Sequence, residues 1–269
     1  GFDTDPQYWF ETITKKIGLL KKTETVIIDN LRITDNSLKN QVKIAVAISH
    51  LIHETQKERG ATAGFIGSKG TKFVTKILEQ RKLTNKKLSN LRADIKKYGN
   101  LLSTDSKSTL NKGLRGFETL STIRQKVNNL KITTKDAISF YTAFNTQMLE
   151  TIGNIANSST TKNEARDLLA FYNFDMSKER AGIERAVLSN SFARNKFLPG
   201  MKDKFIKLTT EQDSYIQSFK KSASKNMLNS YNSNMTGTAI DEVNRMRKIA
   251  KTATNIGGFE TDASYWFSK

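Results

Sequence analysis

Apolar residues recur along this chain at steps of three and four, and they alternate with period two nowhere over a useful length. That spacing predicts helices throughout and no sheet. The first helix runs from an Asp5 cap, with Pro6 at an early helical position, through YWFETITKKIGLLKKTETVIIDNL. It places Phe10, Ile13, Ile17, Leu20 and Val26 inward. A break falls at 34–37. The next helix carries Ile44, Ile48, Ile52, Thr55 and Arg59 on one stripe and ends at Gly67 to Gly70. A third covers 71–97, with Phe73, Ile77, Leu83, Leu88, Leu91 and Ile95 turned inward. Loops at 98–100 and 103–106 precede LNKGLRGFETLSTIRQKVNNL. A helix from a Thr134 cap and the long NEARDLLAFYNFDMSKERAGIERAVLSN follow, the latter reaching a turn at Asn190-Ser191. Leu198-Pro199-Gly200 closes the next segment, and DKFIKLTTEQDSYIQSFKKSAS and GTAIDEVNRMRKIAKTA complete the pattern.

Arg59 changes this picture, because it lies on the same stripe as the aliphatic residues before it. A core-facing guanidinium stays charged at any working pH and needs a carboxylate or a bound anion as partner. Small residues follow at once (Gly60, Ala61, Ala63, Gly64), allowing close approach to the backbone. The device recurs at Lys178-Glu179-Arg180-Ala181-Gly182-Ile183-Glu184-Arg185. Two such helices can face each other across a bundle, with Arg59 approaching Arg185. Glu54, Glu58, Glu179 and Glu184 stand close by and could instead neutralise these arginines.

HETQKERGATAGFIGSKGTKF, then KERAGIERAVLSNSFARNKF, then AIDEVNRMRKIA, together resemble the nitrate- and nitrite-sensing (NIT) domain family, over about 42–250. The resemblance implies an all-α sensor: long antiparallel helices forming two joined helical bundles, in proteins such as bacterial chemoreceptors, signalling enzymes and a transcription antiterminator. It implies a small planar inorganic anion, nitrate or nitrite, as ligand and no cofactor. The arginines it matches are Arg59, Arg185 and Arg245, with Arg180 adjacent. Some members carry a second arginine where this chain has Glu58.

Composition adds bounds. The formal net charge is +18, which attracts polyanions or acidic partners, but the lysines are spread over every helix without a dense run or interleaved aromatics. They read as solvated faces, and nucleic acid is disfavoured as a partner. No cysteine is present, so disulfides and thiolate metal sites are excluded. No apolar run approaches the ~18 residues of a membrane span. The expected location is the extracytoplasmic portion of a membrane-anchored bacterial protein, with the cytoplasm as the alternative.

The two ends repeat each other. GFDTDPQYWF at 1–10 and GFETDASYWF at 258–267 are identical at seven of ten positions. The expectation is one period of a head-to-tail array. Residues 1–36 would be a linking helix carried over from a preceding repeat, 37–257 the sensor unit and 258–269 the start of the next repeat. Trp9 and Phe10 would lie against early helices of this unit, while Trp266 and Phe267 await a neighbouring copy. A single domain closed on itself is the alternative.

Catalytic motifs fare poorly. GFIGSKGT lacks the spacing of a phosphate loop and no strand precedes it. His50, His53 and Glu54 have metal-ligand spacing on one helix face, but partly exposed helix histidines explain them as well. No nucleophile, base and oxyanion hole assemble, so no enzyme is expected. The sequence thus reads as a sensor unit that binds a small anion and passes a helix shift to an output domain outside the chain. A structural or surface-array repeat without a ligand is the alternative.

Overall fold

The computed structural model describes residues 4–193 and 195–252, and among them every regular element is helical. Ten α-helices are numbered here in chain order: α1 Pro6–Asp29, α2 Asn36–Gly67, α3 Val74–Tyr98, α4 Thr104–Glu118, α5 Leu120–Asn128, α6 Thr134–Asn157, α7 Lys162–Ala193, α8 Met201–Ser222, α9 Lys225–Asn234 and α10 Thr238–Thr252. The chain divides into two compact units. One comprises Gly1–Asn30 with Met176–Lys269, the other Leu31–Asp175, and α7 contributes to both. The all-helical expectation, with two bundles, holds.

The 31–175 unit is built around α2, which packs on both α3 and α6. A helix with neighbours on two sides has little free surface, and from Leu51 to Thr62 only Lys57 is exposed. Asp35 caps its start by accepting from the Leu38 N–H at 2.6 Å. Just upstream, Arg32 forms a two-pronged pair with Asp167 of α7 at 2.9 Å, while Glu164 accepts from the backbone of Thr34 and Asp35. Ala61 and Phe65 near the far end of α2 form an apolar cluster with Ile77 and Val127. There Gly64 is required by space: a Cβ would stand 2.5 Å from the Phe73 ring. α4 meets α6 through Phe117 and Phe144, whose rings cross edge to face at 4.0 Å.

In the other unit α1 packs on α9 and α10. Asp5 caps it as expected, accepting from the Gln7 and Tyr8 N–H groups. Its buried stripe is Trp9, Ile13, Ile17, Leu20 and Ile27, interleaved with Lys16, Thr23 and Glu24. Trp9 is fully buried against Phe192 of α7, with ring centroids 5.6 Å apart, and its indole N–H donates to the Arg185 carbonyl at 3.1 Å. Both of these contacts are made with α7. Burying a side chain of this size stabilises the unit by about 1.5–3 kcal/mol. Trp266 and Phe267, and the proposed start of a next repeat at 258–269, lie outside the described residues.

Several boundaries differ from the sequence reading. The expected continuous helix over 110–130 is two, parted at Thr119, where Gly113 and Gly116 weaken the preceding turns and Thr119 Oγ1 donates to the Gly116 carbonyl. α6 is capped by Thr133, not Thr134: Thr133 Oγ1 accepts from the Asp136 N–H and donates to its carboxylate. α7 passes through Asn190-Ser191 to Ala193, the Ser191 hydroxyl being satisfied within the helix by the Val187 carbonyl. Leu83 was expected inside and is 47% exposed.

Candidate anion-binding site

Arg59 is 1% exposed near the middle of the buried stretch of α2. Its Nη1 donates to Thr142 Oγ1 of α6 at 2.9 Å. The residue before it, Glu58, is also fully buried and is held by three other helices. Arg124 of α5 grips both carboxylate oxygens at 2.7 and 2.8 Å. The Tyr141 hydroxyl of α6 donates to Oε1 at 2.8 Å, and Arg81 of α3 stands at 3.9 Å. Arg124 also donates to Asn85, and Arg81 to Asn128. Burial, then the Glu58 carboxylate, push the Tyr141 phenol far up, so it stays a donor. Glu54, another candidate neutraliser, accepts from Gln80 of α3 at 2.7 Å and faces Lys57 at 3.5 Å.

The other three arginines singled out from the sequence belong to the second unit. Arg185 of α7 is buried, donates to Thr14 Oγ1 of α1 at 3.1 Å, and lies 5.0 Å over the Phe10 ring. Arg180, one turn earlier, donates to Glu211 at 2.7 Å and lies over Tyr215. Arg245 lies on the exposed side of α10 and donates to Glu242 of its own helix at 2.8 Å. Through these bonds Arg185 reaches α1, Arg180 reaches α8 and Arg245 stays on α10.

Arg247, which the sequence reading passed over, is the inward arginine of α10. It grips both oxygens of the fully buried Glu184 at 2.6 Å, and Gln212 bridges the pair. Burial alone would raise the Glu184 carboxyl, yet the Arg247 guanidinium holds it below the usual range. The signal was present in the sequence. Val243, Met246 and Ala250 form the buried stripe of α10, and Arg247 is four residues after Val243, whereas Arg245 falls across the helix from it.

Lys16 of α1 stands near this pair, 7% exposed, and forms no hydrogen bond or ion pair among the described residues. Burial pushes its ammonium down to about 7; Arg247 adds to the fall, while Glu184 and Asp213 oppose it. The folded chain therefore holds fewer protons than the unfolded one between that value and the ordinary 10.5. Stability should rise with pH across this window, by up to about 1.4 kcal/mol per unit, and the cost is largest below it. Urea unfolding of the wild type and Lys16→Met at several pH values should show that component of the slope vanish in the variant, which should also be the more stable at neutral pH.

His53, expected to be partly exposed, is buried, and His50 is half-buried. Among the described residues no group of three or more His, Asp or Glu side chains could hold a metal ion, and no helix is long and apolar enough to cross a membrane.

This arrangement of long helices has known counterparts. The family described as nitrate and nitrite sensing matches residues 50–269, so the chain belongs to that family. Among individual proteins, it is similar to the nitrate regulatory protein of Klebsiella oxytoca, 23% identical over 184 residues, which is 68% of this chain and 46% of that one. It also shares the fold of the NasR transcription antiterminator, with a TM-score of 0.77 at 20% identity, over 92% of this chain and 65% of the other. The chain thus spans less than half of the first relative and under two thirds of the second. Both are regulators by name, where the sequence reading had also offered chemoreceptors.

Proposed function

We propose that the chain is the ligand-binding part of a sensor, that it takes up a small planar monoanion of the nitrate or nitrite type at buried arginines, and that it passes the event on as a helix shift to an output domain. The observation that carries this is Arg59, a guanidinium buried in α2 inside the family-matched segment and followed directly by Gly60, Ala61, Ala63 and Gly64. An arginine fork matches the edge of a planar oxyanion, and small residues let that anion reach the backbone. Arg185 is the counterpart in the other unit, buried and donating to a threonine hydroxyl. Arg180 and Arg245, the other two arginines of this reading, donate to Glu211 and Glu242. A one-sided change at a buried arginine moves its helix against its neighbours, which is the physical form of such a signal.

Trp9 supplies a test of the Arg185 part. Its indole is bonded to the Arg185 carbonyl, so nitrate uptake there should alter its emission. With Trp266→Phe as background, a saturable change on nitrate addition is expected, and Arg185→Met should remove it. A saturable change that survives Arg185→Met would take Arg185 out of the site.

A further inference from the structure

Glu58 and Arg59 are neighbours in sequence, about 100° apart around α2, and both reach α6 at adjacent positions: Glu58 at Tyr141, Arg59 at Thr142. The hydrogen bonds to the Glu58 carboxylate come from outside its own helix. Through Arg124 and Arg81, with Asn85 and Asn128, it ties α2 to α3, α5 and α6 at one level of the unit. Directly after it α2 runs through Gly60 and Gly64, residues that give a helix little stiffness of its own. The bonds to Glu58 thus add a polar tie between α2 and three other helices one residue before Arg59. The cluster sets two guanidiniums around one carboxylate and so leaves one positive charge over beside Arg59.

We propose that Glu58 is a positioning residue for anion recognition: gripped by Arg124, Arg81 and Tyr141, it sets the rotation and height of α2 at which Arg59 meets the ligand. This rests on the reading of Arg59 given above. It assigns a role in recognition to a carboxylate that, from charge alone, only opposes the binding of an anion. The two roles have opposite signs. As a Coulombic neighbour, Glu58 weakens anion binding, and removing its charge strengthens it. As a positioning residue, it is needed for binding, and removing its charge releases α2.

The test is calorimetric titration of nitrate into the wild type, Glu58→Gln, Tyr141→Phe and Arg59→Met, each checked by circular dichroism and thermal melting. Glu58→Gln should bind nitrate about tenfold or more weakly, although it adds positive charge, because loosening a binding group by a fraction of an ångström suffices for such a loss. Tyr141→Phe changes no charge and removes one of the bonds to Glu58. It should weaken binding about threefold or more while staying folded, and it decides the matter if Glu58→Gln does not fold. Affinity equal to or above the wild type in a folded Glu58→Gln, or an unaltered Tyr141→Phe, would overturn the positioning role while leaving Arg59 in place. Undiminished binding in Arg59→Met would remove Arg59 from the site, and the role of Glu58 with it.

Discussion

Arg59→Met should abolish nitrate binding while the chain keeps its helical content. Methionine preserves the length and much of the apolar stem of the side chain, so packing of α2 against α6 is largely retained. What goes is the guanidinium, and with it contacts that include the bond to Thr142. An arginine fork on an oxyanion is among the stronger charge-assisted contacts, and buried charge partners are commonly worth 2–5 kcal/mol or more on truncation, a loss of about thirtyfold to several thousandfold in affinity. The variant is read by calorimetry for binding and by circular dichroism for folding. Retained affinity would show that the ligand is held elsewhere.

The largest effect on stability should come from Glu184→Ala. Glu184 is fully buried, and its removal leaves the Arg247 guanidinium, itself largely buried, without the carboxylate that now takes both of its prongs, and leaves the Gln212 amide only the Leu208 carbonyl to donate to. Breaking a buried pair by removing one partner costs about 3–5 kcal/mol. Lys16, close to the same pair, loses one of the two charges that favour its protonated form, so its ammonium should fall further. Urea unfolding should show a lower midpoint for the unit containing α1 and α10. An unchanged midpoint would mean that Arg247 finds another partner at no cost.

How much of this could be read from the sequence differs between elements. The helices were legible because apolar steps of three and four are a property of the local chain, and Ile44 to Arg59 or Ile13 to Leu20 announce them directly. Arg59 as an inward arginine was legible for the same reason. Its neighbour Glu58 was not, because single-stripe reading assumes one buried face, and α2 is buried almost all round between α3 and α6. A second stripe, Leu51, Thr55, Glu58, Thr62 and Phe65, runs beside the first and is mostly polar. The inward face of α3 misled for a related reason. It uses Gln80, Arg81 and Thr84 between Ile77 and Leu88, and the first two of these meet Glu54 and Glu58, so hydrophobicity favoured the exposed Leu83 instead. Arg124 and Arg247 are partners by tertiary packing from 66 and 63 residues away, and no local pattern couples them to Glu58 and Glu184.

The central claim is that this chain binds a small planar monoanion at buried arginines, and direct calorimetric titration with nitrate, nitrite, phosphate and acetate tests it most plainly. Saturable binding of nitrate or nitrite, with phosphate and acetate giving none, is the predicted result. A chain that is folded yet takes up neither nitrate nor nitrite would contradict the account and favour a helical repeat that keeps the fold of a sensor without its ligand.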